Sequence, residues 1–155
     1  GKELTELKQE IANYSKAIAE INQKIVFHWN EIYHQSVLNL LESGENTYHL
    51  SGESYDEENM LPIHLQNNDV MGLLFLFFNK LYLCYLFQEF HQGIENANMA
   101  EKYLQGGIGQ LVFPLFHNSA LCCEVTQSLN GVDSFLITNF GLFDSVLKKI
   151  DYFVI

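Results

Sequence analysis

The chain has 155 residues, 48% of them hydrophobic and 14% aromatic, enough for one domain with a real core and too few for two ordinary ones. With 17% charged residues, it is neither a disordered nor a low-complexity composition. Eight lysines and no arginine stand against nineteen acids, a net charge of −11; phosphate clamps and base readout lean on arginine or dense positive charge, so nucleic acid is not an expected partner.

In chain order, Leu4, Leu7, Ile11, Tyr14, Ile18, Ile21 and Ile25 recur in steps of three and four, which predicts a helical stripe. The same heptad spacing serves a coiled-coil seam between two copies or the face of a helix packed on its own domain. From Phe27 the apolar positions shift to Trp29, Ile32, Tyr33, Val37, Leu40 and Leu41, extending helix to about Ser43, with Gly44 as its stop. Residues 1–43 thus read as one long helix or a helix pair. Residues 44–67 read as a polar connection with room for a short helical turn. Its acids Glu53, Asp56, Glu57 and Glu58 lack the ligand spacing of a calcium loop and are expected in solvent.

Val70 to Phe90 is apolar almost all round, so the helix it forms must be covered on several sides and should be central. Asn79 and Lys80 interrupt the run, and a lysine there costs about 2.5 to 3.5 kcal/mol on membrane insertion scales; a buried core helix is expected instead of a membrane span. A very short turn at Phe90 to Gln92 should send an amphipathic helix, Gly93 to Leu104, back antiparallel. Gly106, Gly107 and Gly109 break it, a further helix is predicted over Gln110–Leu129, and residues 132–155 carry a looser helical pattern. The fold class is all-α, a single helical domain of antiparallel hairpins, with tetratricopeptide-like helices over 68–129.

Residues 74–107 fit one 34-residue tetratricopeptide-like unit in part. Ala97 and Ala100 are small where the second helix must approach the first, Phe87 and Phe90 fill apolar positions near the turn, and Gly93 replaces a packing alanine. Such hairpins need neighbours to bury their faces. With an apolar finish at Phe153-Val154-Ile155 and no initiator methionine, the chain reads as a piece of a longer one.

Four phrases carry a more specific likeness: IYHQSVLNLL at 32–41, GESYDEENMLP at 52–62, FNKLYLCYLFQEFHQGIENANMAEKYL at 78–104 and PLFHNSAL at 114–121. In order and spacing, over about residues 25–129, they resemble the helical segment of large bacterial multi-sensor signalling kinases. In that family a serine/threonine kinase and an AAA-type ATPase precede the tetratricopeptide-like region, and GAF and often histidine-kinase domains follow. The resemblance implies a non-catalytic scaffold in the cytoplasm whose partners are neighbouring domains or another protein, with no catalytic, cofactor or metal residue of its own.

The residues themselves agree with that expectation. No Walker loop, kinase glycine loop, H-R-D or D-F-G phrase occurs, and Gly106, Gly107 and Gly109 lack the following Lys-Ser/Thr. Of the six histidines His28, His34, His49, His64, His91 and His117, none forms an H-E-x-x-H motif, and the six-residue step from His28 to His34 turns a helix about 240°, off a shared ligand face. Cys84, Cys122 and Cys123 are an odd number with an adjacent pair, which suits a reducing compartment and core positions better than disulfides or a nucleophile beside His117. The charge of −11 supports an alternative reading: a free-standing acidic binding protein, such as an immunity protein that neutralises a basic toxin. That reading requires one concentrated acidic face, whereas a scaffold spreads its acids over solvent-facing helix sides. An enzyme built on a cysteine nucleophile is the third.

Overall fold

A computed structural model describes residues 2–42, 47–107, 116 and 119–124 of the chain. Five α-helices occur there: α1 (Lys2–Glu20), α2 (Lys24–Leu41), α3 (Glu57–Gln66), α4 (Val70–Leu86) and α5 (Phe90–Glu101), then a 3₁₀ turn, Leu104–Gly107. Residues 119–124 are also helical, and the described residues contain no strand beyond the isolated bridge between Ser51 and Asp56. The architecture of the described residues is all-α. The helix expected over 132–155 lies outside them, as do Gly44, Gly109 and Pro114.

Three junctions share one construction. Asn22, Asn68 and Gln88 take φ values of 56°, 51° and 64°, the left-handed region in which a chain leaves a helix. The next amide in each case reaches back five residues: Gln23 N–H to the Ile18 carbonyl at 3.3 Å, Asp69 to His64 at 2.9 Å and Glu89 to Cys84 at 2.8 Å. This satisfies carbonyls that a helix end otherwise orphans. The N-terminal stripe is therefore a helix pair broken at Ile21–Gln23. The turn expected at Phe90–Gln92 falls three residues earlier, at Phe87–Glu89, so the second helix of that hairpin begins at Phe90 instead of Gly93.

The polar connection of 44–67 is corrected more substantially, since its second half is a ten-residue helix. The Asp56 side chain accepts from the Glu58 amide at 3.1 Å and caps α3, while Glu57 and Glu58 sit in the first turn, where the helix dipole favours negative charge. Pro62 lies inside α3 and leaves the Glu58 carbonyl without its helical donor; Glu58 is exposed, so water can serve it.

Helix α4 is central, as its composition requires. One side joins Leu73, Leu74, Phe77, Phe78 and Leu81 to Ala97, Ala100, Leu104, Phe116 and Cys123. Its other side places Phe75, Leu76 and Leu83 in a second cluster with Ile32, Leu50 and Tyr55. Phe77 stacks on Tyr103 with centroids 6.1 Å apart, and Asn96 reaches Cys84 Sγ at 3.7 Å, so α5 runs antiparallel to α4. Small side chains permit that approach, because a Cβ added at Gly93 would lie 2.7 Å from Cys123 Sγ and 3.4 Å from Cys84 Cβ.

Helix α1 packs antiparallel on α2, with Ile11 buried between them and Asn30 Nδ2 donating to the Ile11 carbonyl and to Ser15 Oγ. Helix α2 and α4 run in the same sense: Trp29 meets Asp69 and Phe75, and one turn later Tyr33 meets Phe75 and Asn79. The intervening α3 reverses the path, so the two hairpins do not follow each other in simple up-down alternation.

Candidate functional site

The chemically capable side chains gather where α2, the 47–56 loop, α3 and α4 meet. The loop buries Leu50 and Tyr55 in the second cluster, and polar groups of α2 hold its backbone. Gln35 Oε1 accepts from the Ser54 and Tyr55 amides at 3.0 and 3.3 Å, and Gln35 Nε2 donates to Asn39 Oδ1 at 2.8 Å. Asn39 Nδ2 in turn donates to the Thr47 and His49 carbonyls, both at 2.8 Å. Gly52 is required beside this network, since a Cβ there would stand 2.4 Å from Gln35 Nε2.

Glu57 departs from the solvated cluster expected of it. It is buried; Oε1 takes the Lys80 ammonium at 2.7 Å and His49 Nδ1 at 2.6 Å, while Oε2 accepts from the Leu50 amide at 2.9 Å. Lys80, which interrupts the apolar run of α4, is thereby the partner of a buried carboxylate 23 residues away. Glu53 and Glu58 do remain exposed, and Asp56 serves as the cap of α3.

The second constellation centres on Asp69. It caps α4 by accepting from the Gly72 amide at 2.9 Å, takes the Trp29 indole N–H at 3.0 and 3.1 Å, and lies 2.8 Å from His64 Nδ1. His64 is only 2% exposed and its Nε2 has no hydrogen-bond partner among the described residues; the ring stacks on Tyr55 and meets His28 edge-on. Gly72 makes the arrangement fit, because a Cβ there would come within 2.4 Å of Asp69 Oδ2 and 2.6 Å of His64 Nδ1. Burial foremost, and then His64, lowers the His28 pKa from its ordinary value, with Asp69 and Glu31 opposing.

The remaining histidines are dispersed. His34 Nδ1 pairs with Ser54 Oγ at 2.7 Å, and exposed His91 lies 3.7 Å from Glu95. His117 is outside the described residues, and so is its expected separation from the cysteines. Among the described residues no group of three or more His, Cys, Asp or Glu side chains is placed to hold a metal ion, and no helix is long and apolar enough to cross a membrane.

The three thiols are free, and Cys84 and Cys123 lie beside Gly93. Burial pushes Cys84 and Cys123 up to about 12, and raises half-buried Cys122 as well. The thiolate is the reactive form, so at pH 8 Cys84 and Cys123 should resist iodoacetamide in the folded protein, with Cys122 modified first. Mass spectrometry of peptides after timed quenching reads this order, and rapid labelling of Cys84 in the folded state would contradict it.

Apolar side chains also reach solvent, most densely at the corner between α1 and α2. Ile21 and Ile25 are 66% and 59% exposed, and Val26 is exposed beside them. A cavity of about 240 Å³ opens at the same corner, lined by Ala19, Asn22, Gln23, Lys24, Phe27 and His28.

The sequence motifs named none of Trp29, Gln35, Asn39 or Asp69 as site residues. The Asp69-x-x-Gly72 spacing at the start of an apolar run was the one available cue, an N-cap signal. No family model, curated protein or solved structure matches the chain.

Proposed function

We propose that the chain is a non-catalytic helical interaction segment, tetratricopeptide-like in its α4–α5 hairpin, from a multi-domain signalling serine/threonine kinase with two-component sensor domains. The observation that carries this reading is the use made of the ionisable groups at the junction: Glu57 pairs with Lys80 and His64 with Asp69 between α3 and α4, and Trp29 of α2 and the Leu50 amide of the loop bond to the same carboxylates. They hold helices together. Exposed acids support it too, since Glu3, Glu10, Glu20, Glu53, Glu58, Glu89, Glu95 and Glu101 are distributed over α1, the loop, α3, α5 and the turn before it. That distribution suits a scaffold better than an acidic decoy for a basic toxin. The kinase setting and the reducing compartment rest on the four sequence phrases and on three free cysteines.

In such a polypeptide the packing of helical hairpins would couple an ATPase/kinase half to sensor domains by shifting a population of packed states. The test begins with the gene: the reading frame should continue into kinase and ATPase domains on one side and sensor domains on the other. In that full-length protein, Ala100→Leu, which overpacks a fully buried site at a cost of about 1 to 3 kcal/mol, should change kinase output with the nucleotide sites intact. A frame without those domains, or unchanged output, would overturn the proposal.

A further inference from the structure

At the corner where α1 turns into α2, an apolar projection stands beside an apolar hollow. Ile21, Ile25 and Val26 are 66%, 59% and 39% exposed, and the adjoining cavity of about 240 Å³ has Ala19 and Phe27 in its walls. The spacing of the N-terminal stripe accounts for the exposure. Residues seven apart share a helix face, so Leu4, Ile11 and Ile18 form one row and Leu7, Tyr14 and Ile21 a second. The first row faces α2, with Ile11 buried and Leu4 and Ile18 half-buried. The second opens progressively towards the corner, from half-buried Leu7 through Tyr14 at 42% to Ile21, whose amide still bonds to the Ala17 carbonyl at 3.4 Å in helical register. Among the described residues α1 packs chiefly on α2, which uses one row of a two-row seam.

We propose that this corner is the contact of a two-fold homodimer, in which Ile21 and Ile25 of each copy enter the hollow of the other.

Two observations select a second copy as the occupant. A two-fold interface uses the same patch on both partners, so that patch must carry a projection together with its receptacle; the corner carries both, side by side. Charge selects the same place. Residues 1–30 hold four lysines (Lys2, Lys8, Lys16, Lys24) and four glutamates (Glu3, Glu6, Glu10, Glu20), so the net −11 arises entirely from residue 31 onward, where four lysines stand against fifteen acids. Two copies of so acidic a chain repel each other, and α1 with its corner is where they can meet without net charge. Glu20 and Lys24, both exposed, flank the projection with opposite signs; a two-fold axis between them sets Glu20 of one copy against Lys24 of the other. The patch is small, and interfaces below about 1,200 Å² belong to weak, transient complexes, so the dimer forms at high protein concentration and dissociates on dilution.

Sedimentation velocity of the intact chain, from micromolar to millimolar protein, reads the equilibrium. The sedimentation coefficient should climb from the monomer value to the dimer value and stop there, because a two-fold contact closes on itself. Ile25→Asn removes part of the projection, and Ala19→Phe fills the hollow while leaving the projection in place. Each should move the midpoint to about tenfold higher concentration, equivalent to about 1.4 kcal/mol. Both positions are exposed, so the helical far-UV signal should stay as it is. Unspecific adhesion of apolar surface would instead strengthen with Ala19→Phe. A chain that is monomeric throughout, whose corner then has some other occupant, growth beyond the dimer, or a midpoint that either variant leaves in place or lowers would overturn the proposal.

Discussion

Replacing Glu57 by alanine should destabilise the protein by about 3 to 5 kcal/mol, the scale for breaking one side of a buried ion pair. The substitution leaves the Lys80 ammonium, 15% exposed, without its anion and takes the acceptor from the Leu50 amide and from His49. Glu57→Gln should cost less, because an amide oxygen still accepts from Leu50 while the charge on Lys80 goes unmatched. A double variant with Lys80→Met should recover much of the loss, since removing both charges leaves no uncompensated ion in the interior. Urea unfolding of the four proteins checks the order. A Glu57→Ala loss below 1 kcal/mol, typical of an exposed pair, would mean that this carboxylate is solvated in solution.

The second large effect belongs to Asp69→Ala. Three donors lose their acceptor together: the Gly72 amide at the helix start, the Trp29 indole and His64 Nδ1. A lost N-cap costs about 1 kcal/mol, and each buried donor left unsatisfied adds about 1 to 3 kcal/mol, so a total of at least 3 kcal/mol is expected by chemical denaturation. Gly72→Ala probes the same contact from the other direction. A glycine-to-alanine change inside a helix normally gains about 1 kcal/mol, but here the new Cβ meets Asp69 and His64 closer than side chains can approach. It should therefore destabilise, whereas stabilisation by Gly72→Ala would show that the Asp69–His64 contact yields freely.

Periodicity made the helices legible, and their junctions only where residue chemistry advertised them. The spacing from Leu4 to Ile25, the shifted apolar positions from Phe27 and the apolar run from Val70, interrupted at Asn79 and Lys80, announced α1, α2 and α4. Asn68 adopts the left-handed region at the α3–α4 turn, a conformation that asparagine tolerates. Gln88 adopts the same conformation without any such propensity, and the α4–α5 turn was consequently placed three residues late. Helix α3 was hidden by Pro62 and by acids that resemble a solvated loop. Its anchor is polar: His64 and Glu57 are its buried side chains, and both act through partners elsewhere in the chain. Gln35 and Asn39 mislead in the same way, as polar residues on a helix normally face water and these two face a loop. A pair such as 57 and 80 is set by the path of the chain, which no local pattern encodes.

Helix α4 belongs to both hydrophobic clusters, whereas α1 rests chiefly on α2 through Ile11 and a few polar contacts. Amide hydrogens in the middle of α4 can meet solvent only when both sides of the molecule give way, so their exchange rates measure the whole described fold at once. Those of α1 need only a local departure from one neighbour. On the contacts of the described residues, amides of α1 should therefore exchange well before those of mid-α4.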